Sequence, residues 1–302
     1  MRVVICMDSW KGSLSALEAC ERVGRGVASV LGDVELTLCP MADGGEGTLE
    51  RVNRSSPGEM TFLEVTGPFA DRRIRAPYLF WPEQKRALVE MAVCAGLPLL
   101  KENERDPMRA TTLGVGELMA DALRAGAEEM VLALGGSATV DGGTGMASAL
   151  GWRFLDGEGR DLPAGGGALE RLATVVPPTK PFPARLRVMC DVTNPLLGPR
   201  GAAAVFAPQK GAGPREVEML EEGLSRLAEV LRRDLGVDVA GLAGGGAAGG
   251  IAAGAVAFWP DKPGAPPQGA DAIQPLCSGC TARHNAVQRL QGRLSPSSGK
   301  TD

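Results

Sequence analysis

The sequence predicts an α/β fold, because one arrangement recurs along it: an apolar strand, an aspartate in a Gly- or Ser-rich turn, then an amphipathic helix. Arg2–Met7 runs into Asp8, Val34–Cys39 is followed by Asp43, and Met130–Leu134 opens into a glycine loop that contains Asp141. At 302 residues the chain passes the ~250–300 residues at which single cores stop growing, so two domains are expected.

The balance of 32 basic and 36 acidic residues, net charge -4, provides no positive field for nucleic acid, and 4% aromatic residues leave little for base stacking. Cys6, Cys20, Cys39, Cys94, Cys190, Cys277 and Cys280 lie scattered through apolar segments and read as reduced thiols of a cytoplasmic protein. No run of eighteen apolar residues is present, which excludes a membrane-spanning helix, and no leader precedes the first strand.

Taken in order, the first strand passes through Ser9-Trp-Lys-Gly-Ser13 into a helix with apolar positions Leu14, Leu17, Val23 and Val27. Ser15 and Glu18 have the spacing of a capping box. Lys11 stands where an anion at the strand's carboxyl end could be reached, and such strand ends are where open α/β sheets bind ligands. The second strand leads to Pro40-Met-Ala-Asp-Gly-Gly-Glu-Gly-Thr48, whose Asp43 and Glu46 are candidate metal or substrate contacts and whose Thr48 is a candidate cap.

Arg86–Val93 reads as a strand that turns helical, with Glu90 its one internal charge; a buried carboxylate needs a partner. Thr111 and Thr112 precede a helix over Val115–Leu123 and are candidate caps. The loop after Leu134 is rich in unshielded backbone N–H groups, and Gly135, Gly136, Ser137 and Thr139 suit a phosphate held beside a metal ligand, Asp141. Leu186–Cys190 is a further strand with Asp191 at its end. Lys210 precedes a helix over Arg215–Arg233 whose apolar face is Val217, Leu220, Leu224, Leu227 and Leu231.

Met7-Asp-Ser-Trp-Lys-Gly-Ser13 and Met41-Ala-Asp-Gly-Gly-Glu-Gly-Thr48 resemble the two N-terminal signatures of the bacterial type I glycerate kinases. The resemblance continues through Thr66-Gly-Pro68, Glu90-Met-Ala92 with Gly96-Leu97, Ala110-Thr-Thr-Leu-Gly-Val-Gly-Glu-Leu118, Leu134-Gly-Gly-Ser-Ala-Thr139, Cys190-Asp-Val-Thr-Asn-Pro-Leu196, Phe206-Ala-Pro-Gln-Lys-Gly-Ala212 and Gly244–Gly250, across residues 1 to 259. It implies two α/β domains with the active site between them: a discontinuous flavodoxin-like domain, residues 1–65 plus 250–302, and a second domain, 66–249, inserted in it. It further implies that ATP with Mg2+ phosphorylates D-glycerate to 2-phosphoglycerate. For such a reaction Asp8 and Asp191 are assigned near the substrate hydroxyl as base or orienting groups. Asp43, Glu46 and Asp141 are assigned to magnesium, and Lys11 and Lys210 to phosphate. Val140 stands where the family commonly has Asn.

Two other readings compete. Gly244-Gly-Gly-Ala-Ala-Gly249 satisfies the G-x-G-x-x-G pattern of dinucleotide-dependent oxidoreductases by letter, behind a poor strand. The alternative from another class is an inactive or ligand-binding remnant. After Trp259 apolar periodicity is lost, and the family's Thr-Gly-Glu-Gly-Arg signature is absent, so Pro260–Asp302 is expected to be an altered or out-of-frame tail. Within it, Cys277-x-x-Cys280 with His284 has half of a zinc spacing, and Ser298-Gly-Lys-Thr301 lacks the first Gly of a Walker A loop.

Overall fold

In the computed structural model the chain is described over residues 1–259, apart from residues 9, 11, 12, 42, 43, 181, 183 and 191. The expectations for Lys11, Asp43 and Asp191, and those for the tail from Pro260 onward, lie outside the described residues. The α/β class is observed. Arg2–Met7 (β1), Ala16–Leu31 (α1) and Glu35–Pro40 (β2) form a unit in which β1 and β2 pair parallel, from Arg2 opposite Glu35 to Met7 opposite Pro40.

The capping box forms: the Ser15 hydroxyl accepts from the Glu18 N–H at 3.2 Å and the Glu18 carboxylate accepts from the Ser15 N–H at 2.8 Å. The face of α1 that packs is not the one its large residues suggest. Ala16, Ala19, Cys20 and Gly24 are buried, Val23 is exposed, and Leu14, Leu17 and Val27 are half-buried at the margins. Small residues let the helix axis lie close to the strands: a Cβ on Gly24 would stand 3.3 Å from Leu38 Cδ2.

After Thr48–Ser55 (α2) comes a five-stranded mixed sheet in the order β3-β4-β5-β6-β9. Glu59–Thr66 (β3), Arg73–Trp81 (β4) and Arg86–Glu90 (β5) are antiparallel neighbours. Ala92–Ala95 (α3) and Leu113–Arg124 (α4) lead to Glu129–Ala133 (β6), which pairs parallel with β5. Thr144–Ala149 (α5), Arg153–Leu155 (β7) and Thr174–Val176 (β8) follow, the last two as a small antiparallel pair. Arg185–Met189 (β9) closes the main sheet, parallel to β6. The apolar pattern alone predicts no strand at β3, β4, β7 or β8. In β4 the obstacle is Pro77, tolerated because β5 pairs only with Leu79–Trp81 and leaves the Pro77 stretch without a partner on that side.

The sheet is covered on both faces, as continuous apolar parallel strands require. Leu79, Leu88 and Val131 point to Leu49 and Val52 of α2, while Ala87, Val89, Met130 and Leu132 share a core with Val115, Leu118 and Met119 of α4. Ala202–Phe206 (α6), Pro214–Leu235 (α7) and Ala247–Phe258 (α8) build a second core with β7 and β8, in which the expected face of α7 (Leu220, Leu224, Leu227, Leu231) is buried. Trp259 follows α8 and stacks on Phe182 with ring centroids 4.4 Å apart. Cys20, Cys39 and Cys94 are buried thiols. Among the described residues no helix is long and apolar enough to cross a membrane.

Gly24 and Gly26 allow a controlled test of the close α1 contact, because a Cβ on Gly26 meets nothing within 4 Å. Both Gly→Val changes alter helix propensity alike, but only Gly24→Val overpacks, at a cost of ~1–3 kcal/mol beyond the Gly26→Val value. Denaturant unfolding of the two variants measures the difference, and equal values contradict the packing described.

Candidate functional site

Four loops converge at the carboxyl ends of the parallel strands. The chain leaving β6 passes between the loop after β2 and the turn after β5: Gly135 N–H donates to Gly44 O at 2.8 Å, while Gly136 O accepts from Leu97 N–H at 2.7 Å. Only glycine fits at 135, since a Cβ there would lie 2.3 Å from Gly45 Cα. On the far side, Gly142 N–H donates to Gly249 O at 3.1 Å, and Gly246 N–H to Asn194 O, which follows β9, at 2.9 Å.

The chemistry inside this junction centres on Asp141, which is fully buried. Its Oδ2 accepts from the Thr112 N–H (2.8 Å), the Thr112 hydroxyl (2.9 Å) and the Gly145 N–H (3.3 Å), and its Oδ1 from the Gly143 N–H (3.1 Å). Burial pushes the Asp141 carboxyl up, and these donors oppose that. Lys210, on the one-turn helix Pro208–Lys210, is 2% exposed and donates to Ser137 Oγ (2.8 Å) and Thr139 O (2.7 Å). Burial lowers its ammonium to about 7, with the Asp141 charge pulling the other way.

A second buried acid joins the N-terminal unit to the sheet. Glu90, at the end of β5 and 1% exposed, accepts from Gly47 N–H at 2.9 Å and Leu49 N–H at 2.8 Å. It thereby caps α2, whose own N-cap is Gly47 without a side chain. Burial raises its carboxyl to about 7, and the two amides and Arg51 hold it down.

The structure thus places Gly135, Gly136, Ser137, Thr139 and Asp141 along one loop, with Lys210 bonded to it at Ser137 and Thr139. Asp8 directly follows β1 and sits beside Met41, whose N–H donates to Met7 O at 2.8 Å. Glu46 is exposed in the loop that leads to α2. Several expected roles meet a different geometry. Both carboxylate oxygens of Asp141, expected on magnesium, already hold loop donors, and the Lys210 ammonium, expected on phosphate, already holds the loop. Thr48 donates to Gly45 O instead of capping α2, and Thr112 spends its hydroxyl on Asp141, while Thr111 Oγ1 accepts from the Leu113 N–H at 3.2 Å.

No strand leads directly into the Gly244–Gly250 run, which follows α7 through an irregular stretch, so the strand-loop-helix context of a dinucleotide fingerprint is missing. Gly249 and Gly250, together with Ala248, are left-handed, and a Cβ on Gly249 would lie 2.0 Å from Thr139 O. The run is a packing surface for the Asp141 loop. Among the described residues no three His, Cys, Asp or Glu side chains form a group able to hold a metal. Two clefts, of about 430 and 480 Å3, share Phe69, Asp71 and Arg109, and Phe69 packs against Ala138 of the glycine loop, so both open beside it. Of the cations there, Arg72 pairs with Glu104, Arg105 donates to Gln209 O at 3.3 Å, and Arg72 and Arg109 both lie over the Phe69 ring. The loops, with their backbone donors at strand ends, are the candidate site, and the clefts border them.

Fold and loops together define an α/β protein whose glycine-rich loops meet at the carboxyl ends of parallel strands, the place where open α/β sheets bind ligands. The profile of the Glycerate kinase family matches residues 3–274, and the chain belongs to that family. It is 43% identical over 255 residues to the glycerate kinase of Bacillus subtilis, and 41% identical over 255 residues to the glycerate 2-kinase of Escherichia coli K12. Each alignment covers 81% of this chain and 66% of the relative, so the chain spans about two thirds of their length. A crystal structure from Salmonella typhimurium LT2, described as a "putative glycerate kinase 2", matches with a TM-score of 0.73 and 45% identity, covering 85% of this chain and 70% of that one.

Two outcomes follow from this geometry. Gly135→Ala forces apart the loops after β2 and β6 and lowers stability by ~1–3 kcal/mol; an unfolding curve matching wild type contradicts the contact. Lys210 titrates near its ordinary 10.5 when unfolded and at about 7 when folded. Between those values the unfolded chain binds more protons, so stability rises with pH across the window, and the full penalty is present below it. The unfolding free energy of wild type minus that of Lys210→Met is expected to climb by ~2–5 kcal/mol from pH 7 to pH 10.5. A flat difference means the ammonium is not desolvated.

Proposed function

We propose that the chain is built for ATP-dependent phosphorylation of a hydroxyl of D-glycerate, with 2-phosphoglycerate as product. The observation that carries this reading is the interlocked loop after β6, whose backbone is fixed by Asp141 and Lys210, in a chain of the glycerate kinase family. Preorganised amides suit a transferred phosphoryl group, because phosphoryl transfer depends mainly on positioning and charge stabilisation. The name of the Escherichia coli relative, glycerate 2-kinase, supports the 2-phosphate.

In this proposal Gly135, Gly136, Ser137 and Thr139 supply the phosphate loop, and Asp8 and Asp191 orient or deprotonate the substrate hydroxyl. Lys11 neutralises the phosphoryl oxygens. Asp43 and Glu46 are assigned to magnesium, which commonly takes one or two carboxylates and completes its shell with water and substrate phosphates, while the Asp141 oxygens already hold four donors. When bound, the ion supplies charge neutralisation between the phosphates. The two-domain division, 1–65 with 250–302 and 66–249, belongs to the same proposal. The pairing of β3 with β4 supports a first boundary before Glu59 instead of after residue 65, and the packing of α8 into the second core bears on the return point at 250.

A second reading, binding without turnover, is favoured by one observation: the Asp141 carboxylate and the Lys210 ammonium are both already engaged by the loops. The test is ADP release by the 302-residue protein with D-glycerate and MgATP, and with chromatographic identification of the product. Turnover supports the kinase, and MgADP binding without turnover supports the second reading. In the active protein Asp191→Asn is expected to lower kcat by ~100-fold or more. Near-normal turnover of that variant assigns Asp191 to structure.

A further inference from the structure

Glu90 is an expensive way to cap a helix. The N-cap residue normally supplies the acceptor for the first-turn amides, and a buried carboxylate with no ammonium or guanidinium hydrogen-bonded to it carries a heavy desolvation cost. Here the N-cap is Gly47, held at φ 79°, and the acceptor arrives from the last residue of β5, 43 and 41 residues further along the chain from the two amides it binds. Arg51, the nearby cation, directs Nη2 to Glu46 O at 2.7 Å. The carboxylate therefore tethers a loop instead of pairing a charge.

That loop is held at two points. Gly44 O accepts from Gly135 N–H at 2.8 Å, and Gly47 N–H donates to Glu90 at 2.9 Å, so residues 44–47 are clamped between the phosphate-type loop and the end of β5. Glu46 stands between the two clamps and is exposed. We propose that Glu90 is a positioning residue: by holding the Gly47 and Leu49 amides it fixes the acidic loop 44–47 in register with the 135–139 loop, so that the metal-binding and phosphate-binding parts of the site stay assembled. The inference rests on the kinase reading for its purpose, while the tether itself is independent of it. Glu90 is 1% exposed and both its oxygens are bound to amides of the chain, so the proposed role acts through the loop it holds.

Glu90→Gln is the informative change, because it keeps the shape and removes the charge but leaves one oxygen for two amides and turns an NH2 toward a second donor. Hydrogen–deuterium exchange on the full chain is expected to lose at least ~10-fold protection over residues 44–50, with α4 and β6 unchanged. The magnesium concentration for half-maximal turnover is expected to rise ~10-fold or more, with kcat at saturating magnesium within ~3-fold of wild type. Glu90→Asp, one methylene shorter, should recover part of both effects. A merely structural acid would lower the amount of folded enzyme and leave the magnesium requirement alone. Unchanged protection at 44–50 overturns the inference, and so does lost protection with an unchanged magnesium requirement in an active protein. If wild type shows no turnover, the kinase reading fails, and the exchange measurement alone decides the tether.

Discussion

The backbone donors that surround one buried carboxylate hold the candidate site together. Asp141 draws the Thr112 amide and hydroxyl from the start of α4 and the Gly143 and Gly145 amides from its own loop onto one group. The Thr112 hydroxyl then accepts from Met146 N–H at 2.8 Å, which extends the set into α5. Removing the acid would leave these buried donors unmet, each at a cost of ~1–3 kcal/mol. The orientation of the 135–143 loop, the seating of Lys210 beneath it and the fit of the Gly244–Gly250 run against it all depend on this set.

The glycine pattern and the acidic residues serve that packing more than the sequence suggests. A glycine-rich loop at a strand end can be read either as a ligand cradle or as a place where backbones pass closely. In this chain Gly135 against Gly45, and Gly249 against Thr139, show close passage. The two functions are compatible, since the close passages fix the remaining amides in place.

Much of the fold was legible because periodicity carries it: β1, β2, β5, β6, β9 and α7 fall where apolar pattern and turns put them. The β3–β4 hairpin is not legible in the sequence because Pro77 and two arginines, Arg73 and Arg75, interrupt β4, and only its one-sided pairing makes Pro77 harmless. In the site, the residues themselves were legible and several partners were not. Nothing in a linear pattern says that the acid after β6 will meet Thr112, 29 residues earlier, or that Lys210 will reach back across 73 residues to Ser137. Glu90 did announce itself as a lone charge in an apolar strand, and its partners turned out to be backbone amides.

Ala248 is one of two non-glycine residues with positive φ among the described residues, at 53°, and it stands next to Gly249 and Gly250 at 73° and 92°. A left-handed alanine costs ~1–2 kcal/mol and persists only where the surroundings over-determine the backbone. The 244–250 segment is therefore a stiff buttress and not a slack linker. A ligand that settles on the adjoining loop finds it already immobilised, so the entropy of ordering that loop is lost during folding and is not subtracted again from the binding affinity.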